Sequence, residues 1–429
     1  MPTPSLLIVP ARFKSGKLYS QIPTSGAGDF TVTRATAATR VNASGFIESV
    51  ASGIPRLDYF ATGGTVGCPA LLVEPSAANG ILNSTDTTTS WTLGANLTRG
   101  AIDVIGVSGT NLTVAVSGSG INLAAGRIAR SGNNVALASG STYTISFFVK
   151  KTVTHTIGGY YALITGAASG NLGAGFDVSG SFSSGSIFDT AGTTNRIRRI
   201  EQWGTDVFRC SETFTMTASG TLTSFFLAPV ASVTSSNNSA VGTQLGFAAP
   251  QIELGSVPTS FIPTTTASVT RNADVVAVSG AVSGSIGQTE GTIYAEFSVD
   301  FNNRNADILS INAGNSNNGF FMSLRDTSVV QLIVRTLGNN ELIFQRVGAF
   351  SIGVNKLAMA YKNGDFAICL NGTAVQTNTN NITMPSVSID KIGLGDSALY
   401  VLDRQLRIRA AALYTTRLSN AELEALTTP

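Results

Sequence analysis

His155 is the only histidine among 429 residues. One imidazole excludes multi-histidine metal sites and leaves a single base for any Ser-His-acid triad. It stands in Thr152-Val153-Thr154-His155-Thr156-Ile157-Gly158. The alternation there places it on a strand face, in a structural or surface role. The three cysteines, Cys68, Cys210 and Cys369, lie far apart and lack Cys-x-x-Cys spacing. They read as buried free thiols rather than a disulfide framework or a metal set. No Gly-x-x-x-x-Gly-Lys-Ser/Thr phosphate loop is present, and Gly16-Lys17-Leu18 is not one. Glycoside hydrolysis needs two convergent carboxylates. Glu422 and Glu424 fall on a C-terminal helix, and Glu290 and Glu296 are out of register for a pair. No catalytic residue, cofactor or metal ligand is therefore assigned. A calcium site would need an Asp cluster that the sequence does not offer.

Binding of sugars asks for less: an aromatic ring on which a sugar's C–H face stacks, with polar groups for its hydroxyls. Trp91, Trp203, Tyr160 and Tyr161 are the candidate rings. Trp203 lies beside an apolar strand and reads as core. Tyr160 and Tyr161 point to opposite faces of an extended chain, so at most one of them can serve. Trp91 follows a Thr/Ser-rich run. The candidate platform is thus Trp91, Tyr160 and Tyr161. Asn-rich stretches at 312–318 and 339–340 are loop candidates for polar contacts, a role that competes with ordinary turn formation.

The elements that must position these residues are almost all β. Segment 143–150 is rich in β-branched and aromatic residues, and 292–299 alternates apolar and polar. Lys362-Asn363-Gly364-Asp365 and Asn371-Gly372 are hairpin turn signals. One helix is expected, at the C-terminus. Ser419 and Glu422 form a capping box there, Leu418 and Leu423 a hydrophobic staple, and Leu423 and Leu426 pack onto the last sandwich. Charged residues number 27 basic and 25 acidic, a net charge of +2, which provides no broad basic surface for nucleic acid. No apolar run is long enough to span a bilayer. The N-terminus lacks a basic n-region and has too short an apolar segment for a secretory signal. A Ser/Thr/Asn/Gly surface with unpaired cysteines fits a protein made in a reducing cytosol and used outside it.

Four regions follow: an irregular leader at 1–82, a jelly-roll block at 83–263, a linker at 264–287 and a second strand-rich block at 288–429. Val-Thr-Arg occurs at 32–34 and again at 269–271, each time near a boundary. Three residues are too few to make a repeat.

Several phrases of this chain resemble tailed-phage fibre and head-spike proteins. In the leader they are Phe30-Thr31-Val32-Thr33-Arg34, Gly45-Phe46-Ile47-Glu48, Pro55-Arg56-Leu57-Asp58-Tyr59 and Cys68-Pro69-Ala70-Leu71-Leu72-Val73-Glu74-Pro75. In the middle block they are Trp203-Gly204, Phe208-Arg209-Cys210, Pro250-Gln251-Ile252-Glu253 and Ile262-Pro263. The last block resembles a concanavalin A-like (laminin G-like) domain through Asn371-Gly372, Ile392-Gly393-Leu394-Gly395 and Ala411-Ala412-Leu413-Tyr414. The resemblance implies an all-β virion component, a head or tail fibre built as a homotrimer. It implies attachment to capsid, portal/collar or tail proteins and contact with host surface glycans, without enzymatic activity, membrane insertion or nucleic-acid binding. A dedicated lectin-like receptor-binding module and a capsule polysaccharide depolymerase are the alternative functions.

Overall fold

The computed structural model describes residues 2–14, 16–60, 67–115, 126–300, 305–325, 329–346, 350–395, 399 and 405–429. Counted over these residues, four large antiparallel sheets face each other in pairs across two main cores. The all-β expectation holds. No described helix is long and apolar enough to cross a membrane.

The middle sandwich has two six-stranded sheets. One runs Thr92–Leu93, Ile128–Leu137, Gly220–Pro229, Ile157–Gly166, Gly170–Asp177, Ser184–Asp189. The other runs Leu97–Val104, Val107–Val114, Gln244–Leu254, Thr142–Lys150, Val207–Met216, Thr193–Gln202. Phe147, Tyr160, Phe176, Phe214, Phe225 and Phe247 fill the space between them. The expected strand at 143–150 lies in Thr142–Lys150 and pairs on both edges, with Val207–Met216 and Gln244–Leu254. Its centre is buried on both faces: Tyr143, Ile145 and Phe147 enter the main core, while the alternating Thr144 and Ser146 are buried on the other face and hydrogen-bond Thr213 and Arg209.

The second sandwich is assembled from both ends of the chain. Residues 1–82, read from sequence as a leader, supply strands to both of its sheets. Leu6–Ile8 and Ala70–Val73 pair with successive stretches of one edge of Leu406–Tyr414. Phe30–Thr33 pairs with Val275–Ser279. Leu6, Ile8, Phe30, Leu71 and Val73 are core residues beside Phe297, Leu309 and Ile408. The 264–287 segment is likewise structured, because Val269–Arg271 pairs with Ala77–Asn79 and Val275–Ser279 extends a nine-stranded sheet. The physical reason is edge coverage. An unpaired edge of Leu406–Tyr414 would present bare N–H and C=O groups, and the short early strands satisfy them. Strands of two to four residues carry too little periodicity to announce themselves in sequence.

The two Val-Thr-Arg segments meet at one buried cluster of charges. Arg34 pairs with Asp274 at 2.8 Å, and Arg271 pairs with Glu74 at 2.5 Å. Between them Arg56 bonds both acids, reaching Glu74 at 2.7 Å and Asp274 as well. Ser260, from the end of the middle block, donates its N–H to Glu74 Oε1 at 2.7 Å and its hydroxyl to Oε2 at 2.6 Å. Burial alone would raise the Glu74 pKa, but Arg271 and Arg56 outweigh it and hold the carboxyl well below its ordinary range. Arg407 makes a second clasp, to Asp58 at 2.6 Å and Asp300 at 2.5 Å. Leader, middle block and last block are thereby tied at one junction.

Smaller features agree with the sequence. Asn371 and Gly372 both take positive φ, 52° and 65°, and Thr373 N–H donates to Leu370 C=O at 3.1 Å, as a type I′ turn requires. The helix spans Asn420–Thr427 with the Ser419/Glu422 capping box formed, and Leu423 is buried against Tyr294, Ala358 and Tyr414. Cys210 and Cys369 are buried thiols, whereas Cys68 is exposed, contrary to expectation. It precedes strand Ala70–Val73 by two residues, outside the strand's buried stretch.

Candidate functional site

The three candidate platform rings are all buried, each for a definite reason. Trp91 closes a turn organised by Asp86, whose Oδ1 accepts from Thr88 N–H at 2.9 Å and Thr89 N–H at 3.0 Å. Its Nε1–H donates to Asn83 C=O at 3.0 Å, and its ring meets Phe225 edge-on at 6.2 Å. Tyr160 faces the core, stacked on Phe225 at 5.6 Å, with its hydroxyl donating to Glu212. Tyr161 points to the opposite, outer face of the sheet, as alternation requires. Its ring is taken by Phe226, stacked at 4.1 Å, with Phe188 edge-on at 5.2 Å. Only 5% of Tyr161 is accessible. No candidate ring offers a free face, so the platform expectation is corrected: these aromatics pack with one another. Trp203 is core as expected, between Phe60 at 4.5 Å and Phe148 at 4.9 Å. The Asn stretches organise their own structure: Asn312 is buried in a strand, and Asn318 Oδ1 accepts from Leu337 N–H at 3.0 Å.

The structure brings other residues together. His155 lies in the loop between Thr142–Lys150 and Ile157–Gly166, not on a strand. Its Nε2 is 2.6 Å from Ile157 C=O and 2.7 Å from Ser239 Oγ. A carbonyl can only accept, so Nε2 carries the proton and cannot take one from Ser239. Ser239 Oγ–H is committed to Val230 C=O at 2.8 Å. Burial lowers the His155 pKa, against the partial opposition of the Ile157 and Val230 carbonyls and Asp177, which favours a neutral ring. The Ser-His contact is therefore a fastening. Its hydrogen bonds run the wrong way for nucleophile activation.

Around it opens a groove of about 420 Å³, lined by Val153, Thr154, His155, Thr156, Ile157, Ala231, Ser239, Ala240 and Thr243. Threonine and serine hydroxyls alternate there with small apolar surfaces, and Val153 stands fully exposed at its rim. The groove ends at Ile157, which packs against a buried cluster of Tyr161, Phe226, Ala228 and Val230 on the outer sheet face. Glycine lets this face be covered: a side chain at Gly175 would come within 2.6 Å of Val233 C=O, so only a bare backbone lets the 231–235 segment lie across the sheet there. Above Phe226 lies the Arg127 guanidinium, 3.8 Å from that ring's centre and 4.8 Å from the Tyr161 ring's. Sequence reasoning missed the groove hydroxyls and Arg127. The one signal available was the Thr-rich setting of the lone histidine.

Carboxylates elsewhere are otherwise engaged. Glu290 pairs with Lys362 at 3.0 Å, Glu296 with Arg409 at 2.9 Å, and Glu422 caps the helix. Glu201 and Asp300 interact, and burial first, then Asp300, raises Glu201 to about 7. The nearby cavity beside Trp203 and the Asp300-bound Arg407 has only about 10 Å³, room for a water and not for a sugar. Among the described residues no group of three or more His, Cys, Asp or Glu is placed to hold a metal ion.

No family model matches the chain. No curated protein matches it. Among solved structures it is similar to the Ruminococcus gnavus IT-sialidase CBM40, at 18% identity and TM-score 0.30, covering 35% of this chain and 88% of that one. It is similar to the K499G mutant of NanB sialidase from Streptococcus pneumoniae, at 20% identity and TM-score 0.31, covering 36% and 27% respectively. A third is the Botulinum neurotoxin serotype D ligand binding domain in complex with N-acetylneuraminic acid, at 14% identity, TM-score 0.28 and coverages of 35% and 39%.

Proposed function

We propose that the middle sandwich binds glycans without cleaving them, through the groove beside His155. The observation that carries this is the lining of the groove. Four hydroxyl side chains and the backbone around them share about 420 Å³ with Val153, Ala231 and Ala240. A pyranose presents the same mixture of hydroxyls and C–H patches, and the volume suits one or two sugar rings. The hydrogen-bond directions at Ser239 and the absence of a carboxylate among the lining residues favour binding over hydrolysis.

The test is a glycan array followed by calorimetric titration of the full chain. Wild-type protein is expected to bind a subset of glycans. Ala240→Trp, which fills the groove from an exposed position, is expected to abolish binding while leaving the melting temperature unchanged. Undiminished binding by this variant would remove the groove from the reading. New reducing ends appearing on incubation with a bound polysaccharide would convert the reading to a depolymerase. The wider setting we propose, a trimeric fibre on a phage particle, rests on the resemblance of the leader and middle-block phrases. It is tested by antibody labelling of intact particles and by light scattering of the purified chain.

A further inference from the structure

We infer that the sugar ring taken by the groove beside His155 is uncharged, and that rings carrying a carboxylate or sulfate are turned away because the lining side chains offer lone pairs and no positive charge; the inference rests on the glycan-binding reading above. Four hydroxyls line the groove, and each has its proton directed into the protein. Ser239 donates to Val230 C=O at 2.8 Å, and Thr243 donates to Ala240 C=O at 2.8 Å. Thr152, just outside the lining, donates to Gln244 C=O at 2.6 Å, so in its 3.0 Å contact with Thr154 the proton comes from Thr154. Val178 N–H bonds Thr156 C=O at 2.9 Å, which sets the Thr156 hydroxyl beside the Asp177 carboxylate. Burial would raise the Asp177 carboxyl, but Ser179 N–H and the hydroxyls of Ser181, Ser179 and Thr156 outweigh it and hold it below its ordinary range. His155, protonated at Nε2, keeps only a lone pair at Nδ1.

A hydroxyl whose proton is spent can only accept. A neutral sugar meets such a wall with its own O–H groups, each of them a donor. A carboxylate or sulfate has no proton to give and would face oxygen lone pairs at close range. Turning a lining hydroxyl outward to serve it would strand the carbonyl or carboxylate that the hydroxyl now satisfies. No lysine or arginine is among the lining residues. Lys151, two residues before Val153, is engaged elsewhere, 5.3 Å from the centre of the Phe208 ring and 3.9 Å from Asp206. The charge that acts on His155 is that of Asp177, which has the same sign as the groups turned away. The discrimination is therefore by repulsion and unmet hydrogen bonds rather than by a better contact to the favoured ring. The ligand class is a neutral oligosaccharide.

The experiment measures affinity of the full chain for two matched pairs in which every ring differs by one charge: trigalacturonic acid with its methyl ester, and C6-oxidised cellotriose with cellotriose. Wild-type protein is expected to bind the neutral member of at least one pair about tenfold more tightly than the acid, with the gap narrowing as salt is raised. Ala240→Lys brings an ammonium to the rim from an exposed position and should narrow the gap to about threefold or less. Asp177→Asn, which keeps an acceptor oxygen for Ser179 N–H, should narrow it as well. Matching circular dichroism and melting curves would establish that both variants are folded. An acid bound as tightly as its neutral partner, or a gap that neither variant nor salt moves, overturns the inference and leaves the glycan reading standing. If all four probes are silent, a broad array decides: strongest signals on sialylated, uronic or sulfated glycans overturn the inference, and signals confined to neutral glycans uphold it. No binding anywhere on that array overturns both.

Discussion

At the level of single residues, burial decides which polar groups serve structure. Tyr160 looked available in sequence, yet its ring lies in the aromatic core and its hydroxyl reaches Glu212, which also accepts from Arg196 at 2.8 Å and forms an ion pair with Arg198 at 2.7 Å. Tyr160→Phe should cost about 1–2 kcal/mol in urea unfolding and leave glycan affinity unchanged. Arg56 is a sharper case. Its guanidinium bonds Glu74, Asp274, Ser260 Oγ at 2.9 Å and Thr39 C=O at 3.0 Å, wholly out of solvent. Arg56→Met would strand two carboxylates beside the remaining Arg34 and Arg271, and should cost about 3–5 kcal/mol by the same assay. A loss under 1 kcal/mol would mean that water enters the cluster freely. The residues that carry this junction were visible as phrases: Pro55-Arg56-Leu57-Asp58, Val73-Glu74 and both Val-Thr-Arg segments. Their meaning was not, because the partners of an ion pair 197 positions apart leave no local pattern.

At the level of elements, long strands, tight turns and the capped helix were legible because each carries its signal within a few residues. The strand at Glu290–Val299, the Asn371-Gly372 turn and the Ser419 cap are examples. The early strands were illegible for the opposite reason. Leu6–Ile8 and Leu57–Asp58 are three and two residues long, and gain their stability only from partners near residue 410 or in Ala70–Val73. The candidate site was illegible for a third reason, since its groove joins loops about 84 positions apart and its hydroxyl residues are common types. The strand arrangement makes a concrete prediction about fragments. A chain of residues 83–263 contains almost all of the middle core and should fold cooperatively. A chain of residues 288–429 lacks Leu6, Ile8, Phe30, Leu71, Val73 and Val276 from its core, and should bind a hydrophobic dye and show no near-ultraviolet dichroism. A rigid, dye-silent 288–429 fragment would show that the early strands are ornament to that sandwich rather than part of it.

The whole molecule joins two sandwiches through buried charge, and that choice makes its stability depend on pH in both directions. Glu74 ionises more readily folded than unfolded, so its contribution is present above about pH 4.3 and is lost as pH falls through the acid range. Protonating it would release Arg56, Arg271 and Ser260 together and open the junction. Glu201 works in the other sense. Burial and Asp300 raise it to about 7, despite the opposing pull of Arg209, Arg407 and Arg199. The folded state prefers it protonated, so its contribution is full below about pH 4.3 and is lost as pH rises through about 7. These two groups together should therefore favour the fold most near about pH 4–5, with a decline on either flank for different reasons. Glu201→Gln keeps the size and hydrogen-bonding capacity of the protonated acid and cannot ionise. The variant should gain on the order of 1–2 kcal/mol over wild type near pH 8, match it near pH 5, and leave the acid flank unmoved because Glu74 is untouched. Melting curves of both proteins across that range decide the matter. An equal shift at all pH values would assign the effect to packing, and no shift would mean that Glu201 is fully ionised and paid off by its three arginines at every pH where the fold exists.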